Sequence, residues 1–435
     1  MFVTEGALSK EKDHIEGFAP EVAWVTRSGD TELNEPIAIR PTSETIMYPS
    51  YAKWIQSYRE LPLLLNQWSN VVRWEFKHPT PFIRSREFLW QEGHTAHESL
   101  EEAEQMTHKI LQIYADCYRD VLALPVIPGL KSQSEKFAGA DYTTTVELIV
   151  PQNGRAIQGA TSHNLGQNFA KMFEIQFEDK HSQKQFVHQT SWGLSTRSIG
   201  AMIMIHGDDN GLILPPAVAE TQVVIVPIKN KGIEEELFKQ RYENIYQQLK
   251  SSGIRVVLDD RENYKPGWKF NHWELKGVPI RIELGENDYR NNQVTVVRRD
   301  TGVKELISND SLNQTISQKL NTVQQDMYEK SLEIRNQRIT MVQNWSDFMD
   351  QINKRNSVLA PWCNSQDCEQ NVKRQSKQDS DVGGEDHDEM MLTGQAKTMC
   401  LPFENNKDFK NQYSDCKCFY CKQPAQVIAL WGRSY

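Results

Sequence analysis

Leu65–Phe76 reads LNQWSNVVRWEF and Phe82–Gln91 reads FIRSREFLWQ, with Lys77-His78-Pro79-Thr80-Pro81 between them. Each run is rich in apolar and aromatic residues, and the two prolines forbid continuation of either through the gap. The pattern predicts two antiparallel strands joined by a loop. Arg73-Trp74-Glu75 closes the first run, and Arg84 and Phe88 lie on the second. An Arg-x-Glu on a strand is by itself a common cross-strand ion pair, so these residues alone define a hairpin and not an activity.

Outward from the hairpin, Ser99 and Glu102 form a capping box. Leu100, Ala103, Ile110, Tyr114, Cys117 and Val121 then recur at helical spacing, predicting an amphipathic helix over 99–122 in which Cys117 only packs. Gly193-Leu194-Ser195-Thr196-Arg197 followed by Ser198-Ile199-Gly200 reads as a strand-to-helix junction ending in a third arginine. The segment to Pro216 is therefore one large mixed domain, 1–216, closed by Leu212-Ile213-Leu214-Pro215-Pro216.

A different rhythm follows. Val223–Ile228, Ile254–Leu258, Val278–Leu284 and Val294–Arg298 read as strands, with a helix over 233–250 ended by Gly253, so 217–325 is a β-α-β unit with a small parallel-type sheet. Leu312, Ile316, Leu320, Val323 and Met327 mark a long helix into a third unit, 326–435. Residues 376–389, acidic and poor in apolar side chains, read as a solvated insertion.

The chain has 435 residues, and 49 Lys plus Arg against 58 Asp plus Glu leave a net charge of −9, so nucleic acid could be bound only through a local face. No apolar run is long enough for a bilayer span, and Met1–Gly17 lacks the pattern of a secretory signal, which together predict a cytosolic protein. Six of seven cysteines lie in the last quarter. Cys363 and Cys368 form one short-spaced pair, and Cys418 makes another with either Cys416 or Cys421, an arrangement suited to a tetrahedral zinc.

Taken in order, Pro41-Thr42-Ser43-Glu44, Arg73-Trp74-Glu75-Phe76, Arg84 through His94, Gln158-Gly159-Ala160-Thr161-Ser162-His163 and Gly432-Arg433-Ser434-Tyr435 resemble prolyl-tRNA synthetase of the eukaryotic and archaeal type, a class II aminoacyl-tRNA synthetase. The resemblance runs essentially end to end. It implies an α+β fold: an antiparallel-sheet catalytic domain, an α/β anticodon-binding domain and a small zinc-binding α/β C-terminal domain. It also implies a proline–tRNA ligase that uses ATP with Mg2+ to make prolyl-adenylate and transfers proline to its tRNA.

By the same resemblance, Arg73, Glu75 and Arg197 are the catalytic residues. Thr42, Glu44, Arg73, Trp90, His94, Phe137 and His163 bind proline, while Arg73, Arg84, Ser85, Gln158, Thr161, Ser195 and Arg197 bind ATP and magnesium. Fixed guanidinium charges suit the in-line displacement at the α-phosphorus, and an anionic acceptor suits the secondary ammonium of proline. Phe270, Glu274 and Arg281 match family residues that contact anticodon guanines, although a Glu–Arg salt bridge within the fold fits the same residues. Cys421 is chosen over Cys416 because it precedes Lys422-Gln423-Pro424-Ala425 as a family ligand does, giving Cys363, Cys368, Cys418 and Cys421 as the zinc set. The family is homodimeric through a first motif that lies upstream of Met1-Phe2-Val3, so the sequence reads as begun at an internal Met, with dimerisation in question. A noncatalytic tRNA-binding paralogue is the second reading.

Overall fold

The computed structural model describes residues 1–435 except 7, 9–21, 75–78, 230–231, 382–393 and 414, and the side chains of 380, 381, 410 and 411 are likewise left undescribed. Two compact units emerge, one of residues 1–115, 126–201 and 337–435, the other of 116–125 and 202–336.

In the first unit, β1 (Phe2–Thr4), β2 (Trp24–Ser28) and β3 (Thr31–Ile39) form a small antiparallel sheet, followed by α1 (Glu44–Trp54). The expected hairpin is β4 (Leu63–Val72) and β5 (Glu87–His97), antiparallel, with Leu65 opposite His94 and Val72 opposite Glu87. Its strands are displaced from the expected runs. The Thr80 and Arg84 backbones bond to each other at 2.9 Å in both directions, closing a separate turn that keeps 79–86 out of the ladder.

Helix α2 (Leu100–Asp116) begins where the Glu102 N–H donates to Ser99 Oγ at 3.3 Å, but its regular turn stops earlier than expected. Cys117–Val121 forms a wider π turn, in which the Leu122 N–H reaches the Cys117 carbonyl at 3.2 Å and Tyr118 is fully buried. Cys117 itself is only half-buried.

Next come β6 (Ile127–Leu130), β7 (Tyr142–Ile149), β8 (Ala156–Gly166), α3 (Asn168–Phe173), β9 (Gln176–Glu178), β10 (Lys184–Phe186), β11 (His188–Ser195) and α4 (Arg197–His206). Tyr48 and Tyr51 of α1 pack on Phe169 and Phe173 of α3, an aromatic core that fixes α1 against the back of the sheet.

The second unit carries β12 (Val223–Pro227), α5 (Glu235–Ser251), β13 (Val256–Leu258), α6 (Pro266–Leu275), β14 (Ile280–Leu284), α7 (Glu286–Arg290), β15 (Gln293–Arg298), β16 (Lys304–Ser308) and α8 (Leu312–Gln337). The expected parallel sheet is mixed. β12 runs parallel to β13 and β14, but β15 is antiparallel to both β14 and β16, because the connection at 285–292 is too short for a parallel crossover and the turn through Gly302, at φ 70, closes a hairpin. The buried face of α8 carries Leu312, Ile316, Leu320, Val323 and Met327, as the periodicity predicts.

Beyond α8, the chain returns to the first unit with β17 (Ile339–Met341), α9 (Trp345–Asn353), β18 (Ser357–Trp362), α10 (Gln366–Asp381), β19 (Lys397–Pro402) and β20 (Val427–Gly432). β19 pairs with β6, so one sheet of ten strands runs in the order β17-β18-β20-β19-β6-β7-β8-β11-β5-β4. Gly129 permits that junction, since a Cβ there would lie 2.6 Å from the Leu401 carbonyl oxygen. The insertion expected at 376–389 is corrected at its start. α10 continues to Asp381 with Ser376 fully buried, its hydroxyl accepting from the Ala396 N–H at 3.0 Å; residues 382–389 lie outside the described residues.

Candidate active site and zinc centre

Strands β5, β8 and β11 form the floor of a cavity of about 410 Å³ in the first unit. Period-two alternation points Phe88, Trp90, Glu92 and His94 of β5 to one face, and the cross-strand register sets Ser195 opposite Trp90, Gly193 opposite Glu92 and Ser191 opposite His94. Gly193 is required by close approach: a Cβ on it would lie 3.0 Å from the Trp90 ring.

The cavity gathers Thr42, Glu44, Arg73, Trp90, His94, Phe137, Gln158, Thr161, His163, Ser195 and Arg197. Arg84 and Ser85 are not brought to its wall; Arg84 is half-buried on the 79–86 turn. Glu75 lies outside the described residues.

Glu44 opens α1, is buried, and accepts a hydrogen bond from the Thr42 hydroxyl. Its position one α-helical turn before Tyr48 aims it at His94, whose Nδ1 meets the Tyr48 hydroxyl at 3.1 Å. His94 Nε2 lies 3.0 Å from Glu92 Oε2. Burial opposes a charge on His94, but the bond to Glu92 and the charges of Glu44 and Glu92 outweigh it and hold the imidazole above its ordinary pKa.

Glu92 is a site residue that the sequence reading missed. Only 1% exposed, it accepts from Ser43 Oγ at 2.5 Å, Gln67 Nε2 at 2.5 Å and Ser69 Oγ at 3.2 Å. Its signal was present, since it stands midway between Trp90 and His94 on one strand face. Glu135, Thr143 and Ser191 also line the cavity unforeseen.

Arg73 is fixed by its Nε–H bond to the Pro41 carbonyl at 3.0 Å, and its guanidinium lies 5.6 Å from the Phe88 ring centre and 5.5 Å from that of Trp90. Arg197, first residue of α4, donates from Nε to the Ile83 carbonyl at 2.9 Å. His163 contacts Thr143 Oγ1 at 2.9 Å and Thr161 Oγ1 at 3.0 Å, and Phe137 lies 4.7 Å from its ring.

Burial first, then the charges of His94 and Arg73, depress the His163 pKa from 6.5 to about 3, leaving a neutral ring. The unfolded chain therefore takes up this proton first as pH falls. The contribution to stability is full above the unfolded value and declines as pH drops from 6.5 toward about 3, with a slope of at most about 1.4 kcal/mol per pH unit. Denaturation midpoints across that window should fall less steeply in His163→Asn than in the parent. Parallel curves would mean that His163 takes its proton in the folded state.

In the second unit, Arg281 stacks 4.3 Å from the Phe270 ring centre, donates to Glu274 at 2.7 Å and contacts Glu283 at 2.9 Å. The three expected residues are thus brought together, and the Glu–Arg salt bridge is the contact they make. Glu274 and Arg281 line a cavity of about 340 Å³ together with Arg299 and Lys304, and Phe270 is not on its wall. Tyr264, Trp268 and His272 form a parallel stack at 3.9 Å and 4.9 Å beside it in sequence, another feature not anticipated.

The four cysteines converge as expected. Cys363 follows β18, Cys368 lies in the first turn of α10, and Cys418 and Cys421 share the turn before β20. All four sulfurs lie within 4.8 Å of one another, with Cys368–Cys418 at 3.8 Å and Cys363–Cys421 at 3.5 Å. A tetrahedral zinc with bonds of about 2.3 Å needs sulfurs about 3.8 Å apart, so the donor set and its spacing fit the ion. Cys416 is outside the group, packed among Phe409, Ala425 and Ile428.

Comparison with known proteins settles the family. The tRNA synthetase class II core domain (G, H, P, S and T) matches residues 24–206, an anticodon binding domain matches 222–319, and the prolyl-tRNA synthetase C-terminal domain matches 345–435. The chain is 52% identical over 435 residues to the cytoplasmic proline–tRNA ligase of Arabidopsis thaliana, covering all of this chain and 79% of that one. The chain belongs to the prolyl-tRNA synthetase family.

Other members of the prolyl-tRNA synthetase family are longer. A putative proline–tRNA ligase of Saccharomyces cerevisiae is 51% identical, and the chain spans 64% of it; the bifunctional glutamate/proline–tRNA ligase of Mus musculus is 50% identical, and the chain spans 29%. Among solved structures, the prolyl-tRNA synthetase of Cryptosporidium parvum complexed with halofuginone and AMPPNP has a TM-score of 0.92 at 50% identity, covering all of this chain and 86% of that one. No helix among the described residues is long and apolar enough to cross a membrane.

Proposed function

We propose that the chain ligates proline to its tRNA, with the cavity on β5, β8 and β11 as the site of proline activation. The observation that carries this reading is the convergence on one 410 Å³ cavity of a buried carboxylate, Glu44, an aromatic wall, Trp90 with Phe137, and two guanidinium groups, Arg73 and Arg197.

The proline ammonium donates to Glu44, with Thr42 orienting that carboxylate, and the ring lies against Trp90, Phe137, His94 and His163. A neutral His163 keeps a second cation away from the ammonium, while the Glu92–His94 pair fills the floor with satisfied polar groups. A proline carboxylate oxygen then bonds to the α-phosphorus of ATP as pyrophosphate leaves, and Arg73 meets the charge that grows on the phosphoryl oxygens. Arg197 holds the departing phosphates, with Thr161 and Ser195 on the nucleotide side; Arg84 and Ser85, which do not reach the cavity wall, are included as ATP contacts, and Glu75 among the catalytic residues, by family resemblance. In the second step a terminal ribose hydroxyl of tRNA bonds to the prolyl carbonyl and AMP leaves. Magnesium, carried in with ATP, would neutralise phosphate charge, and the Gln158 carboxamide oxygen is a hard donor on the cavity wall that would help to hold it.

The proposed functional division is 1–216 for activation, 217–325 for the anticodon and 326–435 for the zinc-bearing domain, in a cytoplasmic enzyme. Proline-dependent ATP–pyrophosphate exchange tests activation, and its absence with proline, or its presence with threonine instead, sinks the reading.

Phe270, Glu274 and Arg281 are proposed to read the anticodon, which requires the Arg281–Glu274 bond to open when guanine arrives. Arg281→Ala should lower tRNA charging about 10- to 100-fold, as expected for a base contact of about 1–3 kcal/mol, while pyrophosphate exchange stays near the parent value. Equal loss of both activities would assign Arg281 a purely structural role through Glu283.

A further inference from the structure

The loop between β6 and β7, residues 131–141, carries two cavity-lining side chains, Glu135 and Phe137. It has no regular hydrogen-bond ladder of its own. Its inner end is tied by the Phe137 N–H bond to Thr143 Oγ1 at 2.9 Å, and a short turn joins the Glu135 and Lys136 N–H groups to the Ser132 carbonyl at 3.1 and 2.9 Å.

Asn168 Nδ2 holds its far end through the Gly139 carbonyl and Asp141 Oδ1, both at 3.0 Å, while Lys131, Ser132 and Glu135 link it to the C-terminal segment of the same unit. Ser132 Oγ, on a residue 2% exposed, donates to Glu369 Oε1 at 3.1 Å across 237 positions of sequence. Glu369 is fully buried, also accepts from Thr398 Oγ1 at 2.6 Å, and lies 3.6 Å from Lys373 Nζ. Lys373 Nζ in turn binds Glu135 Oε1 at 2.7 Å, and Lys397 Nζ lies 3.7 Å from Glu135 Oε2. Lys131 Nζ closes the set on the Met399 carbonyl at 2.8 Å and Glu147 at 2.6 Å. Glu369 is buried while Lys373, Glu135 and Lys397 are half-buried, and ion pairs so shielded fix geometry more than they add stability, because a shielded partner is costly to leave unmatched.

Glu369 directly follows Cys368 in α10, one turn before Lys373. The four-thiol cluster therefore anchors the helical turn that holds the loop, and the loop holds the ring of Phe137 over His163.

We propose that Glu369 and Lys373 are positioning residues for amino-acid binding, acting through Ser132 and Glu135 to hold Phe137 as a wall of the proline site. This rests on the proline-activation reading above. The role is one of binding geometry, so it predicts a change in proline affinity and not in the chemical step.

Lys373→Met should raise KM for proline in pyrophosphate exchange about tenfold with kcat within about twofold and KM for ATP unchanged. Lys373→Arg, which keeps the charge at Glu135, should restore most of the affinity. Independently of activity, hydrogen–deuterium exchange of the 131–141 loop in the ligand-free zinc-bound chain should quicken about threefold or more in Lys373→Met. An unchanged KM with unchanged loop exchange overturns the proposal, as does a fall in kcat with KM fixed. If the parent shows no proline-dependent exchange, the functional reading falls instead, and the loop's hydrogen exchange alone decides whether Lys373 positions it. Glu369→Gln, expected to give the same loop loosening, guards against an effect peculiar to the lysine.

Discussion

Arg73→Ala is expected to lower proline-dependent ATP–pyrophosphate exchange by about 10³-fold or more, the range found when a phosphoryl-stabilising arginine is removed. The guanidinium is locked before substrate arrives. Its Nε–H is committed to the Pro41 carbonyl at 3.0 Å, and its face lies beside the rings of Phe88 and Trp90, so its plane cannot rotate freely. A donor held this way needs no reorganisation as charge develops on phosphorus. Arg73→Lys should not rescue, because a single ammonium neither stacks on both rings nor bridges carboxylate and phosphate with a planar fork. Exchange within about tenfold of the parent for the alanine variant would remove Arg73 from the chemistry.

Cys418→Ser should take zinc from about one ion per chain to a small fraction and lower the unfolding midpoint sharply, since structural zinc binding is itself folding free energy. Cys418 has no exposure and is 3.8 Å from Cys368, so the hydroxyl would replace a thiolate where no solvent can compensate. Metal content by atomic absorption and thermal unfolding check both halves. Cys416→Ser is the matched control and should keep its zinc, because Cys416 packs among Phe409, Ala425 and Ile428. Unchanged zinc in Cys418→Ser, or loss of it in Cys416→Ser, would redraw the ligand set.

Much of the site could be read before any coordinates. Trp90 and His94 are two residues either side of Glu92 on one strand, and Arg73 closes the partner strand, so a hairpin with period-two alternation already directs them to one face. What escaped was the role of Glu92, because its value comes from Ser43 and Gln67, 49 and 25 positions away. Phe270, Glu274 and Arg281 show the reverse limit. Sequence brought Phe270, Glu274 and Arg281 together correctly, yet only the packing of β14 against α6 shows Arg281 engaged by Glu274 and Glu283. The parallel-sheet expectation for the second unit held for β12, β13 and β14 and failed at β15, because the β14–β15 connection, residues 285–292, is too short for the crossover that parallel pairing needs.

The residue types, their local spacing and the order of the segments were determined by the sequence alone: the β4–β5 hairpin, the apolar face of α8 and two close cysteine pairs all rest on interactions within a few positions. Tertiary structure alone decided which of these meet. β19 joins the catalytic sheet at β6, four thiols from three places close to within 4.8 Å, and Ser132 finds Glu369 across 237 residues. The physical reason is that strand and helix periodicity encodes which side of an element is buried, whereas the partner of a buried polar group is chosen by long-range packing that no short stretch of sequence contains.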